Sequence, residues 1–132
     1  GNGFTSDGAI GSFGATNSNF DTNTGGAGIS ITNADSATFT FDSVSIDSNT
    51  GDGININGSV TSFTAGNGST FDMNGQDGID ISGTTAAFSI TGGSASNNTS
   101  GSGIIVDDLT GTFSANGTLV NMNGTEIGRA HV

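Results

Sequence analysis

Apolar residues recur at fixed distances along this chain. The segments "GFTS", "GISI", "GINI", "GIDI" and "GIIV" begin at Gly3, Gly28, Gly53, Gly78 and Gly103, in steps of 25. Phe4, Ile29, Ile54, Ile79 and Ile104 follow these glycines, and two positions further on stand Ser6, Ile31, Ile56, Ile81 and Val106. Apolar residues at i and i+2 mark a strand with one buried face. A second column holds Phe13, Phe39, Phe63, Phe88 and Phe113, and a third holds Phe20, Ile46, Phe71, Ala95 and Val120. Three positions after each member of the third column comes an asparagine: Asn23, Asn49, Asn74, Asn98 and Asn123. Five of the nine phenylalanines fall in one column, which chance placement does not produce.

A unit of 25 residues with three short β segments cannot bury its own apolar face, but copies stacked on one another can. The pattern predicts an all-β parallel solenoid of about five coils with three short strands per coil. Stacked strands lie about 4.8 Å apart, giving a rod roughly 24 Å long. No stretch shows a 3.6-residue period, so essentially no helix is expected. Corners need conformations that Gly and Asn tolerate, and Asn-Gly pairs occur at Asn57, Asn67, Asn74, Asn116 and Asn123. Proline, which removes ladder donors, is absent. Residues 1–125 are read as one segment of a longer solenoid, because neither the first nor the last coil resembles a cap. Open coil ends are unpaired β edges, so stacking or aggregation at the ends is expected.

Composition narrows the partners. Residues 1–125 carry eleven Asp and no Lys, Arg or His, and the net charge is −11. Nucleic acid needs basic side chains against its phosphates and is excluded as a partner. An anionic membrane surface repels such a chain, and no apolar run reaches spanning length, so no membrane insertion by this segment is expected. With no Cys, disulfides and thiolate metal sites are excluded.

Units of the form "NTGDGINI…FTAGNGSTFDMN" resemble the repeats of the right-handed parallel β-helix, the fold of the pectin-lyase-like superfamily. The Asn column is similar to that superfamily's asparagine ladder. The Gly/Asn/Thr-rich, Lys-poor style resembles the β-helical passengers of bacterial autotransporters. The resemblance covers residues 2–125. It implies a right-handed coil and an extracellular or bacterial outer-surface location. It also implies either a non-enzymatic structural or adhesive role, with host-surface or extracellular glycans or proteins as partners, or a segment of a carbohydrate-active β-helix whose catalytic coils lie elsewhere.

The lyases of that superfamily generally use a basic residue and Ca²⁺-binding carboxylates, and residues 1–125 offer no basic side chain. A hydrolase needs only two or three carboxylates, for which Asp47, Asp52, Asp72, Asp77, Asp80, Asp107 and Asp108 are the candidates. Asp21, Asp47 and Asp72 share one column and are expected to point outward; Asp52 and Asp77 form a second, just before the coil-start glycine. Like charges about 4.8 Å apart repel by about 0.9 kcal/mol per pair in water. A cation would relieve this, making Asp47, Asp52, Asp72 and Asp77 candidate Ca²⁺ ligands beside the plainer reading of a solvated acidic face. "GQDGIDISG" is similar to a calcium-binding nonapeptide but departs from it at Gln76 and Ser82, and no nine-residue period follows. Ice binding would need outward T-x-T rows at 25-residue steps; Thr38 and Thr40 form one, but the matching positions are not Thr through the stack. Met73 and Met122 share a column and are expected to fill the core edge.

The last seven residues, "EIGRAHV", hold the only Glu, Arg and His. Gly128 lies 25 after Gly103, but Arg-Ala-His then stands where other coils read "INI" or "IDI". The peptide resembles the translation of a common short-read sequencing adapter. Residues 126–132 are therefore expected to be non-native, and Arg129 and His131 are not offered as a site.

Overall fold

The computed structural model describes residues 1–121, 123 and 124, together with the backbone of Arg129–Ala130. The chain is an all-β parallel solenoid of about five turns with a repeat of about 25 residues, and no helix occurs among the described residues. Its strands are β1 (Phe4–Ser6), β2 (Ile10–Thr16), β3 (Ile29–Asp42), β4 (Ile54–Gly66), β5 (Ile79–Ser82), β6 (Thr85–Thr91), β7 (Ile104–Val106), β8 (Leu109–Asn116) and β9 (Arg129–Ala130).

Two stacks run the length of the rod. In the first, β1, the start of β3, the start of β4, β5, β7 and β9 pair in parallel, with Phe4, Ile29, Ile54, Ile79 and Ile104 in register. In the second, β2, the end of β3, the end of β4, β6 and β8 align Phe13, Phe39, Phe63, Phe88 and Phe113. β3 and β4 pass through the intervening corner without a break, whereas coils four and five interrupt the strand there, at Gly83 and Asp108.

The third side of each coil is shorter than expected. It contributes one isolated bridge per step: Asn19 to Ser45, Ser45 to Thr70, Thr70 to Ser94 and Ser94 to Leu119. The reason is local. Left-handed residues flank the segment on both sides: Asn17, Ser43 and Asn67 before it, and Thr22, Ser48, Met73 and Asn97 after it. The few residues between two such turns leave room for a single rung.

The core is built from like on like. Ile29, Ile31, Ile54, Ile56, Ile79 and Ile81 are fully buried, as are Phe39, Phe63 and Phe88. The Phe63, Phe88 and Phe113 rings stack at 5.0 and 5.1 Å between centroids, 8° from parallel in both pairs. Phe41 occupies a position held by Ala15 and Ala65 in the neighbouring coils, and fills that space against Phe63 and Phe71. Met73 does not fill the core edge. It is 56% exposed, because its corner backbone (φ 55°) turns the side chain away from the core. Met122 lies outside the described residues.

The coil-start glycines have a steric reason. A Cβ on Gly53 would lie 2.5 Å from the Gly78 carbonyl oxygen and 2.7 Å from Asn74 Nδ2; on Gly78 it would meet the Gly103 oxygen at 2.5 Å and Asn98 Nδ2 at 2.8 Å. The glycine column thus makes room for the asparagine that closes the same coil.

At the C-terminal side, Arg129 and Ala130 pair with Ile105 and Val106. A parallel ladder is made by the backbone alone, so any extended segment at the right distance can join the open edge of β7. The rest of "EIGRAHV" lies outside the described residues.

Among the described residues, one buried group stands against the pattern. Thr85, fully buried between Val60 and Leu109 in the stack, has no partner for its hydroxyl. A buried unsatisfied hydroxyl costs about 1–3 kcal/mol, and valine has nearly the same shape. Thr85→Val is expected to raise the unfolding free energy by about 1 kcal/mol, read as a higher urea midpoint with an unchanged m-value.

Candidate functional site

The polar residues of the repeat converge on one corner, with the sequence pattern Asp-x-Asn: Asp21-Thr22-Asn23, Asp47-Ser48-Asn49 and Asp72-Met73-Asn74. The central residue is left-handed in all three, with φ between 55° and 61°. This turn takes the flanking backbone out of the regular ladder, and the two outer side chains replace the missing partners in opposite directions along the rod.

The Asn side chains serve the coil before. Asn49 Oδ1 accepts from Asn23 N (3.0 Å) and Asn23 Nδ2 (2.7 Å); Asn74 Oδ1 accepts from Asn49 N and Nδ2, both at 3.0 Å. Asn98 Oδ1 takes Asn74 N at 2.9 Å, and Asn123 Oδ1 takes Asn98 N at 3.1 Å. The Asn74 amide also donates to the Ile46 carbonyl at 3.1 Å, which satisfies the buried side chain.

The Asp side chains serve the coil after. Asp21 Oδ1 accepts from Asp47 N at 2.8 Å, and Asp47 Oδ1 accepts from Asp72 N at 2.7 Å. Their second oxygens take hydroxyls: Ser45 on Asp21 (2.9 Å) and Thr70 on Asp47 (2.8 Å). Asp72 caps Ser96 N (2.6 Å) and holds the Ser94 hydroxyl. A hydrogen bond to a charged group contributes about 1.5–3 kcal/mol, which outweighs about 0.9 kcal/mol of aqueous repulsion between neighbouring carboxylates. These bonds offset repulsion along the column.

A second capping column precedes the coil-start glycine. Asn2 Oδ1 accepts from Ala27 N (2.8 Å), Asp52 Oδ1 from Asp77 N (2.9 Å), and Asp77 Oδ1 from Ser102 N (2.5 Å). Next to it, on the outward side of the first stack, Asn55, Asp80 and Ile105 lie in one row. The Asn55 amide donates to Asp52 Oδ2 at 2.9 Å and to Asp80 Oδ2 at 3.4 Å. Partial burial, followed by the charges of Asp52, Asp77 and Asp107, pushes Asp80 up to about 6. Asp77 is raised as well, chiefly by burial; the Ser102 N–H opposes the shift and Asp52 adds to it.

The candidates are thus divided. Asp47 and Asp72 belong to the Asp-x-Asn column, and Asp52 and Asp77 to the second column. Asp80 and Asp107 join Asp52 and Asp77 in one electrostatic patch, while Asp108 stands at the corner between β7 and β8. Among the described residues, no three acidic or imidazole side chains converge as a metal site. Asp21, Asp47 and Asp72, expected to face outward, are half-buried and hydrogen-bonded, and in the second column Asp77 is half-buried while Asp52 is buried. Column counting missed this, because it treated Asp and Asn separately. The recurring Asp-x-Asn triplet was the available signal. Comparison with known proteins found no matching family model, no similar curated protein and no similar solved structure.

Two outcomes are expected. Asn74→Ala leaves Asn49 N–H, the Asn49 amide and the Ile46 carbonyl without their partner, and should lower the unfolding free energy by about 3 kcal/mol in denaturant titration. Asp80 has a folded pKa above its unfolded value of 3.8, so its contribution favours the fold below about pH 4 and is lost as the pH rises through 6. Asp80→Asn mimics the neutral acid. It should be more stable than wild type by about 1 kcal/mol at pH 7, after discounting for solvent screening, and the two should converge near pH 4.

Proposed function

We propose that this chain is a non-enzymatic structural or adhesive β-solenoid segment of a secreted or cell-surface bacterial protein. The observation that carries the reading is the use made of its carboxylates. Those of Asp21, Asp47, Asp52, Asp72 and Asp77 each hold a backbone N–H of the next coil. Groups committed to the stack make it rigid and are not available to activate a substrate. The resemblance to right-handed pectin-lyase-like β-helices and to autotransporter passengers supports the same reading. So does the Asn column, which here hydrogen-bonds as a continuous ladder from Asn23 to Asn123. Extracellular glycans or proteins are the partners this reading favours.

A second reading rests on Asp80. A half-buried carboxyl raised to about 6 among three other carboxylates has the character of a general acid. On that reading the chain is a segment of a carbohydrate-active β-helix.

Incubation with polygalacturonate, xylan and other polysaccharides, with reducing ends and unsaturated products monitored, separates the two. No product is expected from the wild-type chain. Product release that disappears in Asp80→Asn would sink the structural reading.

A further inference from the structure

We propose that the outward face of the second stack binds ice. The side chains of β2, the end of β3, the end of β4, β6 and β8 alternate, so that Phe39, Phe41, Phe63, Phe88 and Ile90 face the core. The residues between them face out in two rows. One row is Gly14, Thr40, Thr64, Ser89 and Ser114, in continuous register through all five coils. The other holds Ser12, Thr38 and Ser62, followed by Ala87 and Thr112 at the same repeat. A strict threonine count misses these rows, because serine substitutes for threonine from coil to coil.

The rod does not use these hydroxyls for its own hydrogen bonding, nor does it use those of Thr22, Thr24, Ser30, Ser48 and Thr99 on its other sides. A further set, Thr32, Ser45, Thr50, Thr61, Thr70, Ser94, Thr110 and Thr118, bonds across to another coil. Among the described residues, Ser12, Thr38, Thr40, Ser62, Thr64, Ser89, Thr112 and Ser114 make no hydrogen bond through their hydroxyls. Each is left to solvent. What separates this face from the others is charge. Of the eleven Asp residues only Asp42 stands on this face, at its margin, where it is hydrogen-bonded to Asn67 and Ser43.

The occupant follows from the grid. Hydroxyls recur about 4.8 Å apart between coils and about 6.7 Å apart along each strand. The strands of the inner coils are paired on both sides and underlain by stacked phenylalanine rings, so the spacing is fixed before any ligand arrives. A small solute meets one or two such hydroxyls. A repeating solid surface meets all of them, and hexagonal ice offers rows of oxygens at comparable repeats. The small side chains keep the surface low, and the threonine methyls add apolar contact between the hydroxyls. A charged side chain would impose its own hydration shell on that lattice, and the rows contain none. A sugar polymer would call for aromatic platforms, but the rings of these strands turn inward.

This inference names a partner for the adhesive side of the proposed function and rests on that reading for the rigidity of the rod. The purified chain is to be tested by ice-crystal shaping and by the gap between melting and freezing points. Thr40→Lys and Thr64→Lys probe the rows, and Thr99→Lys places the same charge at an exposed site on another side. Wild type and Thr99→Lys are expected to facet ice and open a freezing gap. The two row variants are expected to lose both while keeping the wild-type melting temperature and circular dichroism. Unfaceted growth with the folded wild-type chain overturns the inference, as does undiminished activity in the row variants. Retention on an insoluble neutral polysaccharide, lost in the row variants and unaccompanied by ice shaping, also overturns it, because the face then belongs to sugar. Failure of ice binding with a stable, inert rod leaves the structural reading standing; polysaccharide turnover defeats the latter on its own.

Discussion

Everything in this molecule depends on backbone hydrogen bonding between successive coils. A parallel ladder points N–H groups and carbonyls along the rod axis, and each needs a partner one repeat away. On the two strand stacks the backbone supplies that partner itself. At the Asp-x-Asn corner it does so only in part: the left-handed residue's N–H still finds a carbonyl of the next coil, but the N–H groups on either side of it do not. The Asp-x-Asn turn solves this with one acceptor sent forward and one sent backward. Carboxylate and amide are suited to the task because both place an oxygen at the right reach, while only the amide can also donate to the carbonyl beneath it. This accounts for an otherwise odd division, with asparagine buried in the wall and aspartate half-exposed beside it.

Much of the architecture was legible because a solenoid writes its contacts into the sequence. Residues 25 apart touch, so the columns Ile29, Ile54, Ile79 and Phe39, Phe63, Phe88 could be read directly as stacked neighbours. The coil-start glycines were visible as a pattern, but their reason was not. It lies in the asparagine amide that closes the same coil, a contact that the 25-residue spacing does not reveal. The third side was read as a strand from its apolar column. The structure reduces it to single rungs because residues such as Ser43, Ser48 and Met73 adopt left-handed conformations that their types do not advertise. The same feature moved Met73 from core edge to surface.

The acidic residues show how one residue type takes different roles a few positions apart. Asp47 and Asp72 are anchored by N–H and hydroxyl donors, and their charge is an asset to the stack. Asp80 sits on an open row beside Ile105 with one long bond from Asn55, and three carboxylates face it. Its charge is a liability. The composition, eleven Asp without a basic partner in residues 1–125, suggests uniform repulsion, yet the structure confines most of the strain to the patch around Asp80.

The opposed ladders also carry a genetic implication. The strand ladders and the asparagine ladder repeat from coil to coil, and each coil's side chains meet chiefly the coils next to it. Duplication or loss of one 25-residue unit leaves new junctions built on the same two ladders as the old ones. Gain or loss of such a unit therefore lengthens or shortens the rod without inventing an interface. Selection would act on reach, one coil at a time, while the corner chemistry stayed fixed.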